Sequence, residues 1–276
     1  MPRRDFLAAL AAGAWLAAGC AAPDDPAAGG RSVGPSTPDL VAHARSTRPV
    51  VAPLGVVPPT SARLPLPHGT LTALPGHGRN LALTVDDGAN SHVVGAYIRF
   101  ARDTGARFTF FVTGSYESWT DHRRELRPLV ESGQIQLGNH TWDHPDLTSL
   151  TPSGVAHQLR RTRDFLKNEF GVDGAPYYRP PYGFHDARVD AVAADLGYTV
   201  PTLWYGSLSD SGLITEQYLL KCARQYFHAQ AIVIGHANHP PVTHVYPQLA
   251  EIIRSRGLSM VTLNDVFEPP RPAMPH

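Results

Sequence analysis

From about residue 76 onward, short apolar runs alternate with longer amphipathic segments. Apolar runs bounded by turn residues predict buried strands, whereas apolar positions that recur every three or four residues predict helices. The predicted strands are Leu81–Val85, Arg107–Val112, Ile135–Gly138, Tyr177–Arg179, Tyr198–Trp204, Ala231–Ile234 and Leu258–Thr262. The predicted helices are His92–Thr104, His122–Ser132, Ser153–Phe170, Asp186–Leu196, Thr215–His228 and Tyr246–Arg256.

Strands that alternate with helices indicate a parallel α/β fold. The predicted number of strands suits a barrel better than a short open sheet. We therefore predict a single (β/α) barrel domain over residues 76–270. In such a barrel the reactive residues lie at the C-terminal ends of the strands and on the loops that follow them.

The first 19 residues predict a signal peptide rather than a part of the fold. Arg3 and Arg4 resemble a twin-arginine export signal, and the apolar run that follows them is too short to span a bilayer. Residues 16–20 resemble the lipobox of bacterial lipoproteins, in which the cysteine is acylated. The alternative is an ordinary cleaved signal peptide with an unmodified Cys20. We expect an exported, membrane-anchored lipoprotein that faces the cell wall or the extracellular side.

Residues 20–75 predict a disordered linker between this anchor and the domain. Proline recurs there among alanine, glycine, serine and threonine without sustained periodicity. A segment of this composition cannot bury enough apolar surface to fold alone.

The charge of the chain is balanced, since Lys+Arg and Asp+Glu both number 24. A neutral chain has no basic surface to attract a polyanion, so nucleic acid is excluded as a partner, and no protein partner is indicated. The chain has 2 cysteines. If Cys20 is acylated, Cys222 has no disulfide partner.

Polar residues follow four of the predicted strands directly. These motifs are residues 84–88, 139–144, 179–183 and 234–236. Each motif alone is weak evidence, because paired aspartates often form turns and caps. What indicates one active site is their order along the chain, with all of them on the same predicted face of the barrel.

This ordered set resembles the motifs of the NodB-homology polysaccharide deacetylases, carbohydrate esterase family 4. The resemblance covers residues 80–265 and rests on Asp86 and Asp87, the His140-x-x-x-His144 pair, Arg-Pro-Pro-Tyr at 179–182 and Ile-Gly-His at 234–236. It implies a distorted (β/α)7 TIM-like barrel. It also implies a hydrolase that removes acetyl groups from an N-acetylated, or O-acetylated, polysaccharide such as peptidoglycan or a chitin-type glycan.

Asp87, His140 and His144 are the predicted metal ligands. Two neutral imidazoles and one carboxylate leave open coordination positions, as a catalytic zinc site requires. The three residues also match the metal-binding triad of the family. We expect a divalent metal, with zinc first and cobalt, manganese or nickel as alternatives. Because Pro145 disfavours helical geometry at His144, we expect the histidine pair on a loop.

The resemblance also implies roles for the other motif residues. Asp86 matches the catalytic base, which deprotonates the attacking water, and Arg179 matches the arginine that orients this base. Tyr182 matches the residue whose backbone N–H stabilises the oxyanion. His236 matches the general acid, which protonates the departing amine.

The fourth motif of the family, residues 204–211, departs from the pattern. Trp204 aligns with an aromatic residue of the substrate pocket, and Asp210 aligns with the carboxylate that tunes the acid histidine. Ser207 and Ser211 stand where the family has a second Asp and a second Trp. This departure bears on substrate and rate more than on the type of reaction.

Two other functions remain open from the sequence. The chain resembles, in fold, metal-free amidohydrolases that cleave other non-peptide C–N bonds, although these lack an intact H-x-x-x-H pair. It could also be a glycan-binding lipoprotein without activity. A pure binding protein would have no need of the complete set of base, metal ligands, arginine and acid.

We expect Cys20→Ala to release the protein from the membrane fraction without changing the activity of the released domain, because the linker separates the anchor from the barrel. Metabolic labelling with a fatty acid measures the modification. Labelling that survives the substitution would refute acylation at Cys20.

Overall fold

The computed structural model describes residues 53–54 and 63–268; the predicted signal peptide, Cys20 and most of the predicted linker lie outside them. The strands are β1 (Asn80–Asp87), β2 (Phe108–Val112), β3 (Ile135–Asn139), β4 (Tyr177–Tyr178), β5 (Val200–Pro201), β6 (Gly206–Ser207), β7 (Ala231–His236) and β8 (Ser259–Met260). The α-helices are α1 (Ser91–Thr104), α2 (Ser118–Asp121), α3 (Arg123–Glu131), α4 (Pro152–Phe170), α5 (Ala187–Asp195), α6 (Glu216–Tyr226), α7 (Pro241–His244), α8 (Tyr246–Ser255) and α9 (Leu263–Val266). Within this described part, no helix combines the length and the apolar character that crossing a membrane requires.

The strands form one parallel sheet in the order β5-β4-β3-β2-β1-β7-β6, and β8 pairs with the start of β1. The sheet curls so that the helices surround it, which confirms the predicted distorted (β/α)7 barrel. One predicted strand, Tyr198–Trp204, is much shorter in the structure. Only its centre forms β5, and the chain then turns into β6, which pairs with β7 and was not predicted. A strand of two residues is too short to produce a recognisable pattern.

The alternation of side chains along the strands separates two hydrophobic cores. Leu83 of β1 and Val233 of β7 pack in the larger core, against the helices, whereas Ala82 and Ile232 lie in the interior of the barrel. Because side chains on a strand point alternately to its two faces, Asp86 lies on the same inner face as Ala82. The barrel interior therefore becomes polar toward the C-terminal ends of its strands.

Residues that precede the predicted start of the domain also bond to the sheet. Leu71 is inserted beside β5, where its N–H donates to Pro201 O and its carbonyl accepts from Leu203 N–H, each at 2.8 Å. Leu74 N–H donates to Gln230 O at 2.9 Å, next to β7. Both leucines are buried in the interior core. Sequence analysis missed them because isolated leucines among prolines have no periodicity.

The six predicted helices are all present, and capping residues define several of their ends. The side chain of Asn90 accepts from His92 N–H at 3.0 Å, and that of Thr151 accepts from Gly154 N–H at 3.2 Å. Gly105 and Gly171 follow α1 and α4 in the left-handed conformation, with φ of 75° and 76°. Such residues end helices because they satisfy the last carbonyl groups without strain at Cβ.

An ion pair at the N-terminal end of the barrel gives a test of the fold. Asp265 accepts from Arg107 at 2.7 and 2.5 Å and also from Thr262 N–H at 2.9 Å, and the pair is largely buried. We expect Asp265→Ala to lower the free energy of unfolding by about 3 kcal/mol, because Arg107 is left without its counter-charge. Urea denaturation of the purified protein measures this loss.

The matched control for this prediction is Asp103→Ala. Asp103 forms an ion pair with Arg102 in which both side chains are more than half exposed. We expect a change below about 0.5 kcal/mol, since exposed pairs contribute little. Equal losses in both variants would contradict the assigned importance of the Arg107–Asp265 pair.

Candidate active site

The predicted motif residues converge on one cavity at the C-terminal ends of the strands. Asp86 and His236 are register partners on β1 and β7, while His140 and Arg179 directly follow β3 and β4. The cavity has a volume of about 510 Å³. Its lining residues are Asp86, Asp87, Tyr116, His140, His144, Pro180, Tyr182, Trp204, Ser207, Ser211, Ile234, His236 and Asn238. Arg179 and Asp210 are buried behind this lining.

Asp87 reaches the cavity because the backbone leaves the β conformation at this residue. Neighbouring residues on a regular strand point to opposite faces, which would separate Asp86 from Asp87. Asp87 has φ of 72°, a left-handed value that is uncommon for a residue with a side chain. The buried Trp119 indole N–H donates to Asp87 O at 3.2 Å and holds this backbone in place. A Cβ on the next residue, Gly88, would lie 2.4 Å from the same ring.

The two histidines lie on a loop, as predicted, and face Asp87. His140 Nε2 and His144 Nε2 each lie 3.4 Å from Asp87 Oδ1. Thr141 and His144 both have positive φ, of 70° and 63°, and Thr141 Oγ1 accepts from His144 N–H at 3.2 Å. This tight turn brings both imidazole rings to the same side of the loop.

The three side chains fit a divalent metal. Their ligand atoms all lie within 4.8 Å of one another. Ligands at about 2.1 Å from tetrahedral zinc lie roughly 3.4 Å apart, close to the separations observed. Asp87 Oδ1 is buried and has no hydrogen-bond partner among the described residues. A buried carboxylate oxygen without a partner is unfavourable unless a cation or a donor binds it.

The hydrogen bonds around the triad leave the correct atoms available for a metal. His140 Nδ1 donates to the backbone carbonyl of Arg179 at 2.7 Å, so its Nε2 carries the lone pair. Asn238 Nδ2 donates to Asp87 Oδ2 at 2.7 Å, which orients the other oxygen toward the histidines.

Neighbouring charges keep Asp87 ionised and shift the pKa values of His140 and His144 in opposite directions. Burial raises the pKa of Asp87, but the adjacent His140 and His144 imidazoles and the Asn238 amide lower it well below its usual value. Burial and the neighbouring His140 lower the pKa of His144, which favours the neutral, ligating form. Burial also lowers the pKa of His140, but Asp86 and Asp87 outweigh it and raise the value. A metal therefore competes with a proton at His140.

Asp86 is held by the fully buried guanidinium of Arg179. Arg179 Nη1 donates to Asp86 Oδ1 at 2.6 Å and to Thr84 Oγ1 at 2.9 Å. The other donors of Arg179 bind the backbone carbonyls of Thr202 and Leu203 at 2.9 and 3.0 Å. The remaining carboxylate oxygen, Asp86 Oδ2, lies 3.5 Å from His140 Nε2 and so faces the metal ligands.

His236 is paired with Asp210, as the resemblance to the family implies. His236 Nδ1 lies 3.0 Å from Asp210 Oδ1, which leaves Nε2 for the cavity. Burial lowers the pKa of His236, but the hydrogen bond to Asp210 and the charges of Asp86, Asp210 and Asp87 raise it above its usual value. Ser207 Oγ accepts from Ser209 N–H at 2.8 Å, and Ser209 has φ of 60°. This turn carries Asp210 to His236.

Tyr182 and Trp204 form part of the wall of the cavity. Tyr182 has φ of 61°, its side chain is 60% exposed, and its ring contacts His144 edge-on at 4.7 Å between centroids. Trp204 lies 5.6 Å from the Arg179 guanidinium carbon. The structure thus places every predicted site residue within the described part of the chain in or directly behind one cavity.

Sequence reasoning did not identify Asn238, Tyr116 or Trp119 as site residues. Asn238 binds Asp87, Tyr116 lines the cavity, and Trp119 supports the Asp87 backbone. Only Asn238 carried a usable signal, since it follows the predicted acid His236 by two residues. The tyrosine and tryptophan lie on the connection between β2 and α3, which contains no recognised motif.

Comparison with known proteins gives the family. Residues 74–201 match the family profile described as polysaccharide deacetylase. The peptidoglycan-N-acetylglucosamine deacetylase PgdA of Listeria monocytogenes is 27% identical over 68% of this chain, which spans 39% of the length of that protein.

Solved structures share the fold. The chitin deacetylase of Colletotrichum lindemuthianum has a TM-score of 0.66 and 21% identity, covering 76% of this chain and 99% of that one. A CE4 family pseudoenzyme of Bacillus anthracis has a TM-score of 0.64 and 17% identity, covering 73% and 69% of the two chains. The resemblance inferred from the ordered motifs is confirmed: residues 74–201 of this chain contain a polysaccharide deacetylase domain, the domain of the NodB-homology proteins of carbohydrate esterase family 4.

Proposed function

We propose that this protein is a metal-dependent hydrolase that removes acetyl groups from an N-acetylated polysaccharide. The observation that carries the proposal is that the adjacent carboxylates of Asp86 and Asp87 have different partners. Both line one cavity, but Asp86 pairs with a buried arginine, whereas Asp87 faces two histidines. Adjacent carboxylates in different environments are suited to different roles.

Asp87, His140 and His144 would hold the metal. A divalent cation bound there, zinc by the nature of the ligands, supplies a Lewis acid that polarises a carbonyl and acidifies water. Cobalt, manganese or nickel are alternatives for the same ligand set.

Asp86 acts as the general base. Arg179 fixes Oδ1, so the carboxylate is oriented with Oδ2 toward the metal ligands. From there Oδ2 accepts the proton of the water that attacks the acetyl carbonyl.

His236, on the neighbouring strand β7, acts as the general acid. The acetamide nitrogen must gain a proton before it leaves, because an anionic amide is a very poor leaving group. Asp210 binds His236 Nδ1 and favours the protonated ring, whose Nε2–H then donates to that nitrogen. The backbone N–H of Tyr182 stabilises the negative charge that develops on the acetyl oxygen.

The substrate follows from the relatives and from the proposed location. PgdA acts on peptidoglycan N-acetylglucosamine, and the Colletotrichum structure is a chitin deacetylase. The proposed anchor at Cys20 would hold the domain beside the cell wall. We therefore propose peptidoglycan or another N-acetylated glycan as the substrate, with O-deacetylation of an acetylated glycan requiring the same residues.

The second candidate function is a glycan-binding protein without activity. This fold includes a protein described as a pseudoenzyme, so the fold alone does not establish catalysis. In this chain the ligand set, the base with its arginine and the acid with its aspartate are all in contact. A protein that only binds glycans has no use for that arrangement. A metal-free amidohydrolase would have no use for the triad.

The first prediction concerns the metal. We expect a chelator to abolish acetate release from N-acetylated glycans and zinc to restore it. We expect His144→Ala to weaken zinc binding by at least about 100-fold, because losing a ligand should cost more than losing an outer partner. Metal content by mass spectrometry and acetate release measure the two effects.

The control is His244→Ala, which removes an exposed histidine outside the cavity. It should leave both zinc content and activity unchanged. Full activity in a metal-free preparation would reject the metal-dependent mechanism and favour the amidohydrolase alternative.

The second prediction concerns the acid. We expect His236→Ala to lower the rate on an N-acetyl substrate by about 10²–10⁴-fold, the usual range for loss of a general acid. The loss on an aryl acetate ester should be much smaller, because its leaving group needs no proton. Metal content should stay unchanged. Equal losses on both substrates would show that His236 supports the structure and not the proton transfer.

The third prediction concerns pH. Asp210 raises the pKa of His236, so Asp210→Asn should lower that pKa. The acid is active when protonated, so the alkaline limb of the kcat/KM profile should move to lower pH. Asp103→Asn, which removes an exposed carboxylate on α1, is the control and should leave the limb in place. An unmoved limb in Asp210→Asn would contradict the assigned pairing.

A further inference from the structure

Three buried polar atoms lie behind His236 without a partner. They are Asp210 Oδ2, the Tyr97 hydroxyl and the Tyr246 hydroxyl, and none has a hydrogen bond within the described part of the chain. All three residues are buried. Buried polar atoms are nearly always bonded to protein or to ordered water, so three together need a reason.

The Tyr97 hydroxyl and Asp210 Oδ2 lie close together, and the Tyr246 ring packs beside that of Tyr97, although the three residues come from three separate elements. Tyr97 lies on α1, Tyr246 begins α8, and their rings are in edge-to-face contact with centroids 5.3 Å apart. A Cβ on Gly235 would lie 3.3 Å from the Tyr97 hydroxyl and 3.6 Å from Asp210 Oδ2. The hydroxyl and the carboxylate therefore flank the same small space, which a glycine leaves open next to His236.

The hydroxyl groups are not explained by packing. Tyr97 contacts Phe108 and Phe110, and Tyr246 stacks on Phe100. In this apolar core phenylalanine would fill almost the same volume without burying an unbonded hydroxyl. Burial raises the pKa of both phenols well above the usual value, and the charge of Asp210 adds to this effect. Both hydroxyls are therefore neutral and able to donate.

We propose that Tyr97, Tyr246 and Asp210 Oδ2 bind one internal water molecule in the space beside Gly235, and that this site positions Asp210 against His236. Three polar partners are typical for a buried water. This inference rests on the proposed function, in which Asp210 Oδ1 binds the general acid His236. A carboxylate that is bonded at both oxygens cannot rotate away from the imidazole. Tyr97 and Tyr246 are then positioning residues for the acid.

The site predicts a specific pattern of kinetic losses. In Tyr97→Phe and Tyr246→Phe the water loses a partner and Asp210 is less well fixed. We expect kcat on the N-acetyl substrate to fall by up to roughly 10-fold, as for loss of one ordinary hydrogen bond. The KM, the zinc content and the rate on an aryl acetate ester should remain unchanged, since none of these requires the acid.

Tyr177→Phe is the matched control. The Tyr177 hydroxyl is also buried and has no hydrogen-bond partner among the residues that the structure describes, but it belongs to the interior core of the barrel and not to the Asp210 cluster. Its removal should leave the amide-to-ester ratio of rates unchanged. A second variant, Gly235→Ala, fills the proposed space with a methyl group and should lower the same ratio without loss of either hydroxyl.

The decisive measurement is a high-resolution crystal structure of the zinc-loaded full chain and of Tyr97→Phe. We expect a water within hydrogen-bonding distance of all three atoms in the first, and its loss or displacement in the second. Absence of this water from the unsubstituted protein would overturn the proposal. Equal amide-to-ester ratios in Tyr97→Phe, Tyr246→Phe and Tyr177→Phe would overturn the positioning role. If the unsubstituted protein hydrolyses neither substrate, the proposed function fails, while the crystal structure still decides the water site.

Discussion

The buried guanidinium of Arg179 is the constraint on which the rest of the site depends. A cation without solvent exposure is tolerated only if it is paired and its N–H groups are bonded. Arg179 meets this requirement with Asp86, Thr84 and two backbone carbonyls of the segment after β5, while its face packs on Phe111 at 4.2 Å. The interior of the barrel is thus organised around one charge, and Asp86 is needed to neutralise it.

The same residue connects the base to the metal ligands. The side chain of Arg179 orients Asp86, and its backbone carbonyl accepts from His140 Nδ1. The C-terminal end of β4 therefore fixes the positions of both the Asp86 carboxylate and the His140 imidazole, which face each other in the cavity. A small displacement of β4 would disturb both together. This explains how a strand of two residues can fix a site to which five other segments contribute.

The second constraint is the backbone conformation at the loops. Among the described residues, six residues other than glycine have positive φ, and five of them are Asp87, Thr141, His144, Tyr182 and Ser209. All five lie in the cavity or on the turns that present its residues. Such conformations are unfavourable and persist only where surrounding contacts enforce them. At Asp87 the contact is the indole of Trp119, and at Ser209 it is the hydroxyl of Ser207.

The sequence predicted the parts of this structure that follow from periodicity and order. The long buried strands β1, β2 and β7 and all six main helices have clear patterns, and the motif order placed Asp86, His140, Arg179 and His236 at strand ends. The family resemblance placed Asp87 in the same site as Asp86, but the alternation of side chains along a strand argues the opposite, and nothing in the sequence predicted the positive φ that brings Asp87 into the cavity. Nor could sequence analysis find Leu71, β6 or the Tyr97–Tyr246 contact, which depend on packing between distant segments.

The altered fourth motif shows how geometry can be retained while charge is lost. Ser207 stands where the family has an Asp, yet its hydroxyl accepts the Ser209 N–H and closes the turn that carries Asp210 to His236. The pairing of acid and aspartate therefore survives the substitution. What is lost is a second negative charge near the imidazole, so the electrostatic support of the protonated ring rests on Asp210, Asp86 and Asp87. Because Asp210 is then the only carboxylate bonded to His236 among the described residues, its orientation matters more here than in a motif with two. That is the physical reason for the proposed water site to fix the free oxygen of Asp210.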